Sequence, residues 1–180
     1  MITPPGDHAW FSDSGFAESY SLIFVRGLTP EQLVARTGDR AEDLSWTTLD
    51  AGARHDHEPG SGGVTTVGDW AFTTHYYSWF GADDEFLVPL SAGTRLVSLS
   101  RLDIKGLEDF RWVEDGEIRF GFWAQEGYSE EVPDELAETM RQIDHDYGED
   151  KYELYRGPGL VLIERLTGIR LTPRILDGSA

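Results

Sequence analysis

The chain contains no cysteine, only two lysines (Lys105 and Lys151), and no long apolar run. Without cysteine there is no disulfide, no thiolate metal site and no thiol nucleophile. A membrane helix needs roughly 18 to 20 consecutive apolar residues, and nothing here approaches that. The opening Met1-Ile-Thr-Pro-Pro-Gly-Asp7 lacks the basic flank and apolar stretch of a secretion signal. A soluble, cytoplasmic protein is therefore expected. The largest deficit is positive charge. Thirty-three acids face 15 Lys and Arg, for a formal net charge of −18 at pH 7. Such a surface repels phosphate backbones and anionic membranes, which argues against direct nucleic-acid or membrane binding. Two readings remain: self-repulsion that keeps the protein soluble, or an acidic face that steers onto a basic partner.

What is present is ordinary globular material. The 180 residues are 39% hydrophobic and include six Trp, seven Tyr and nine Phe. That supports one domain spanning 1–180 with a substantial core. The best-marked segment runs from Ser21 to Gly38. Leu22, Ile23, Phe24 and Val25 read as a buried strand, and Gly27 as a corner. In the helix that follows, Thr29 and Gln32 have capping-box spacing, Pro30 suits the first position, and Gly38 suits the stop. Leu28 and Leu33 have the spacing of a hydrophobic staple.

Residues 1–20 form a Pro-rich lead in which Ala9, Trp10, Phe11, Phe16, Ala17 and Tyr20 supply one face of a short helix. Leu44 to Leu49 fits a helix or a short strand equally. Residues 50–63 carry Gly52, Pro59, Gly60, Gly62 and Gly63 and read as a flexible loop. From Val64 to Tyr77 the pattern alternates. Trp70, Phe72, Thr74 and Tyr76 fall on one face, and Ala71, Thr73, His75 and Tyr77 on the other. Leu96 to Leu102 is a further strand. Phe110 to Trp123 is a hairpin about an Asp115-Gly116 type I′ turn, pairing Val113 with Ile118 and Trp112 with Arg119, where a cation–π contact is possible.

Pro133 to Tyr147 returns to helix, with Leu136, Met140, Ile143 and Tyr147 on one stripe and Gly148 at the stop. Gly157-Pro-Gly159 introduces a buried apolar segment from Leu160, read as helix, and Leu171-Thr-Pro173 repeats the earlier helix-start chemistry. Helices at both ends of hairpin-connected strands predict an α+β domain. Its antiparallel sheet would have about five strands, with helices packed mainly on one face.

Local catalytic signatures are weak. His55 and His57 would point the same way from an extended segment, which permits two metal ligands with no third or fourth to name. Gly60-Ser-Gly-Gly63 lacks the Lys-Ser/Thr and the preceding strand of a phosphate-binding loop, and reads better as a connector. No Gly-x-Ser-x-Gly elbow marks a serine nucleophile. Two stretches point instead to an interaction surface. Tyr76 to Phe86 sets Trp79 and Phe80 beside Asp83, Asp84 and Glu85, the composition of interface anchors; the competing reading has the two aromatics closing the core edge. The acidic helical segment 126–154 includes Glu130, Glu131, Asp134, Glu138, Asp144 and Asp146. Between Glu126 and Glu153 it holds 11 acids against two bases (Arg141 and Lys151), half the net charge. A solvated helix face explains this, as does a docking surface for a basic partner.

Four segments together carry a resemblance: Phe24-Val-Arg-Gly-Leu-Thr-Pro-Glu-Gln-Leu-Val-Ala-Arg-Thr-Gly38, Val67-Gly-Asp-Trp70, Leu90-Ser-Ala-Gly-Thr-Arg95, and Glu164-Arg-Leu-Thr-Gly-Ile-Arg-Leu-Thr-Pro173. The chain resembles an uncharacterised actinobacterial domain family along nearly its whole length. That family usually has an acidic residue and an Asn-Gly turn after the Trp strand, where His75-Tyr-Tyr-Ser-Trp79 stands here. The resemblance implies a single α+β domain in a bacterial cytoplasm and names no reaction. The expectation is thus a non-enzymatic, immunity-like or nucleic-acid-mimicking protein that neutralises or regulates a basic protein, with no cofactor. The alternative is a small-ligand binder or hydrolase-like enzyme with a pocket where His75, Tyr77, Trp79 and the His55/His57 loop converge.

Overall fold

The apolar run Leu22 to Val25 becomes the centre of the sheet. The computed structural model describes residues 9–12, 19–37, 45–48, 61–102, 107–123, 127–128, 131–147 and 157–176. Its strands are β1 (Ser19–Arg26), β2 (Ser45–Thr48), β3 (Ser61–Val67), β4 (Trp70–Tyr76), β5 (Arg95–Leu102), β6 (Leu107–Glu114), β7 (Glu117–Trp123) and β8 (Gly127–Tyr128). They form one sheet in the order β2-β3-β4-β1-β5-β6-β7-β8. Six long strands, β3 to β7 and β1, run antiparallel throughout, and two short ones finish the described edges, β2 parallel to β3 and β8 antiparallel to β7. The helices are α1 (Ala9–Ser12), α2 (Pro30–Thr37), α3 (Asp84–Leu90), α4 (Asp134–Tyr147), α5 (Pro158–Thr167) and α6 (Pro173–Leu176). The α+β domain expected from the sequence is what the chain forms.

Strand alternation sorts the core into two layers. Tyr20, Leu22, Phe24, Trp70, Phe72, Leu99, Phe110 and Phe122 pack against Phe11 of α1, α4, α5 and α6. Ile23, Val25, Ala71, Leu96 and Val113 pack on the other face against Leu33 of α2 and Phe86, Leu87 and Leu90 of α3. The longer helices lie on one face, as expected, while two shorter ones cover part of the second. Buried on both sides, β1 reads as a continuous apolar run and β4 has every residue buried.

Several local expectations are realised atom by atom. Gln32 N–H donates to Thr29 Oγ1 (3.2 Å) and Thr29 N–H donates to Gln32 Oε1 (2.9 Å), a complete capping box. Asp115 and Gly116 both have positive φ (50° and 79°), the type I′ turn that a two-residue hairpin favours. Gly168 ends α5 in the left-handed conformation, φ 72°, and its N–H reaches Glu164 O.

Other expectations change. Tyr20 belongs to β1 rather than to a helical lead; α1 is one turn, and Phe16 and Ala17 lie outside the described residues. The undecided 44–49 segment contains a strand. Of the loop at 50–63, residues 61–63 begin β3, and the remainder lies outside the described residues. The single alternating segment from Val64 is two strands, because Gly68 (φ 58°) and Asp69 turn the chain back. Tyr77, expected beside His75 on a strand face, leaves the strand at φ 49° and is exposed. In the hairpin, Val113 pairs with Ile118 as expected, but a register shift between Trp112 and Val113 sets Trp112 opposite Phe120. The cation over Trp112 is Arg95, 4.8 Å from the ring centroid, and Arg119 instead lies near Glu117.

Candidate functional site

One row of residues crosses the sheet on the face that carries α2 and α3. Strand register aligns Gly62 with His75, His75 with Ser21, Ser21 with Ser100, Ser100 with Asp109, and Asp109 with Trp123. The neighbouring row holds Thr73, Ile23, Ser98 and Arg111. A sheet face in the middle of a protein is normally apolar, so a buried polar row needs hydrogen-bond partners.

The segment after β4 supplies them. Residues Phe80–Ala82 form a 3-10 turn across the row, leading into Asp83 and α3. Ser21 Oγ donates to Ser78 O (2.8 Å) and accepts from Gly81 N–H (3.2 Å). Its one proton being used, it accepts from Ser100 Oγ at 2.6 Å. Ser98 Oγ donates to Gly81 O (2.6 Å). Gly81 has no room for a side chain, since a Cβ there would stand 2.5 Å from Ser100 Oγ. Three serines thus tie an irregular segment to the sheet.

His75 stands at one end of the row, 1% exposed. Its Nε2 lies 3.1 Å from Thr73 Oγ1, and the Phe80 ring packs edge-on at 5.9 Å. Burial lowers its pKa to about 4, so the ring is neutral at physiological pH. Tyr77 and Trp79 reach solvent. The three residues expected to converge therefore do not share a solvent-facing surface. His55 and His57 lie outside the described residues, and no group of three or more metal-ligating side chains occurs among the described ones.

The other end of the row is open and charged. Asp109 is 2% exposed and makes an ion contact through Oδ1 with Arg111 Nη1. Arg111 also donates from Nη1 to Phe110 O (3.2 Å), and its Nε lies 3.3 Å from Asp84 Oδ1 on the first turn of α3. Its guanidinium sits 5.8 Å from the centroid of Trp123, which is 37% exposed. Gly121 leaves space for this arginine, with Nη1 only 3.1 Å from where a Cβ would stand. Burial pushes the Asp109 carboxyl up to about 7; Arg111 pulls it back and Asp84 adds to the rise. On the opposite face, burial also raises Glu108 to about 7, opposed by Arg101 and by the Gly159 N–H that donates to it at 3.2 Å.

The residues expected at an interaction surface are divided by the sheet. Trp79 is 37% exposed, whereas Phe80 is half-buried against Phe86 (5.2 Å between ring centroids). Asp83 caps α3, accepting from Glu85 N–H at 3.0 Å, and Asp84 and Glu85 are exposed. Glu131, Asp134, Glu138 and Asp144 are also exposed, but they belong to α4 and the residues leading into it, across the sheet. Glu138 pairs with Arg141, and the neighbouring Glu135 is held by Arg95 at 2.9 Å. Glu130 lies outside the described residues, as does the side chain of Asp146. Sequence reasoning missed Asp109, Arg111 and Trp123. Half of the signal was present, since Asp109 and Arg111 are two apart in a strand and so share a face. The register read from the sequence sets Phe122 opposite Asp109, however, and only the shift between Trp112 and Val113 puts Trp123 there.

A family model described as a family of unknown function (DUF6461) matches residues 1–180, and the chain belongs to that family. No curated protein and no solved structure matches the chain.

Proposed function

With a family that names no activity as the premise, we propose that this is a non-enzymatic acidic protein that binds a basic protein partner and neutralises or regulates it. The observation that carries the reading is the line of contacts from Trp123 through Arg111 to Asp84. Exposed Trp123 is joined through Arg111 to Asp84, and Asp84 lies between Asp83 and Glu85 in the segment that begins with exposed Trp79. Large aromatics beside carboxylates combine anchor area with charge complementarity. The net charge of −18 supplies long-range attraction for a cationic partner and repels nucleic acid. The α4 face provides a second acidic surface, on the opposite side of the sheet. A bacterial, cytoplasmic, immunity-like role fits these features. A ligand pocket at His75 has less support, because that imidazole is buried and neutral.

The test is capture with the full chain as bait, followed by calorimetry on the purified pair. Binding should weaken steeply with salt. Asp83→Asn/Asp84→Asn/Glu85→Gln, which keeps a cap-competent residue at 83, should weaken it by about tenfold or more, as should Trp79→Ala/Trp123→Ala. Salt-insensitive capture, or both variants binding like the wild type, would refute the reading.

A further inference from the structure

We propose that Asp109 and Asp84 compete for Arg111, so that a proton on Asp109 decides how much negative charge the first turn of α3 presents. This deepens the binding reading above and rests on it for its biological sense, though not for its test.

The geometry sets up the competition. One guanidinium spans two carboxylates with opposite surroundings: Asp109 at 2% exposure on β6, and Asp84, whose side chain is 49% exposed, at the start of α3. The groups facing Asp109 are Ser100 from β5, Arg111 from its own strand, Trp123 from β7 and Asp84 from α3. His75 lies at the far end of the row, beyond Ser21 and Ser100, and Asp83 precedes Asp84. Apart from the ion contact with Arg111, no described donor hydrogen-bonds to either Asp109 oxygen. Among the described residues Asp109 therefore has no second donor to hold its charge, and Arg111 is the described cation that faces both acids.

Protonating Asp109 removes the buried charge and leaves the Arg111–Asp84 pair neutral. Ionising it adds a second carboxylate around one cation in a poorly solvated place. The buried carboxylate then has the stronger demand on Arg111, because Asp84 can be solvated by water and Asp109 cannot. Arg111 shifts inward, Asp84 is released to solvent beside Asp83 and Glu85, and Trp123 loses its stacked cation. The acidic turn becomes more negative as pH rises through neutrality, the range in which burial places the Asp109 carboxyl. A basic partner should bind more tightly on the alkaline side.

Carboxyl carbon and arginine Nε–H NMR on the full chain, recorded from about pH 5 to about pH 9, test this around the ordinary and shifted carboxylate values. Asp109 should titrate near neutrality, and the Arg111 Nε–H signal should move with the same midpoint. In Asp109→Asn that signal should be flat with pH. The exposed substitution Asp84→Asn should leave the fold intact and lower the Asp109 midpoint by removing a neighbouring like charge. An Arg111 signal that ignores the Asp109 titration, or an Asp109 midpoint unchanged by Asp84→Asn, overturns the proposal. A deca-lysine peptide gives the functional arm. Affinity that rises several-fold from about pH 6 to about pH 8 in the wild type, but not in Asp109→Asn, supports the switch as a regulator of charge. Coupled NMR titrations without peptide binding would refute the basic-partner reading while leaving the switch standing.

Discussion

Gly62 lies opposite His75, and the imidazole occupies the space that a side chain at 62 would need. A Cβ there would stand 2.9 Å from His75 Nδ1 and 3.1 Å from Thr74 O. Glycine in a strand interior is otherwise unfavourable, so its presence here answers a packing need. Gly62→Ala should destabilise the fold by about 1–3 kcal/mol, the usual range for overpacking. Urea denaturation checks it. In a His75→Ala background the same change should cost much less, and equal costs in both backgrounds would show that the two residues are uncoupled.

The serine network predicts a second loss. Ser21 Oγ serves Ser78 O, Gly81 N–H and Ser100 Oγ at once. Ser21→Ala leaves those groups buried without their partner, at about 1–3 kcal/mol. Hydrogen exchange should rise first at Gly81 and its neighbours. If the amide of Gly81 stays as protected as in the wild type, the serine is not what anchors the turn.

Stability should fall with rising pH because of the buried ionisable groups. In the fold, Glu108 and Asp109 lie at about 7 against ordinary values of 4.5 and 3.8, whereas His75 lies at about 4 against 6.5. Between roughly pH 4.5 and 6.5 the folded chain holds two extra carboxyl protons and lacks one imidazole proton. Each net proton is worth about 1.4 kcal/mol per pH unit. The carboxyl contribution is complete below the unfolded values and is lost as pH rises through 7; the His75 contribution has the opposite sign and ends at 6.5. Urea midpoints should therefore decline from about pH 5 to about pH 8. Glu108→Gln and Asp109→Asn should each flatten that slope, and His75→Gln should steepen its acid part. A midpoint that rises over this range in the wild type would contradict the account.

Thr29→Ala should cost about 1 kcal/mol by removing one half of the capping box. Thr29→Ser should restore most of it. Thermal melts of the three proteins decide the matter, and a Ser variant no better than Ala would place the effect elsewhere.

What the sequence determined by itself is local. The Thr29/Gln32 box, the Asp115-Gly116 turn, the α4 stripe and the alternation of faces from Trp70 to Tyr76 depend on backbone geometry over a few residues. Side-chain pattern records that geometry directly. The tertiary structure alone decided which distant residues meet. Gly62, His75, Ser21, Ser100, Asp109 and Trp123 come from six strands, and only register brings them into one line. A single bulge was enough to exchange Arg119 for Phe120 as the partner of Trp112. Cross-strand neighbours follow from how the strands slide into place around a shared core, and that choice belongs to the whole chain at once.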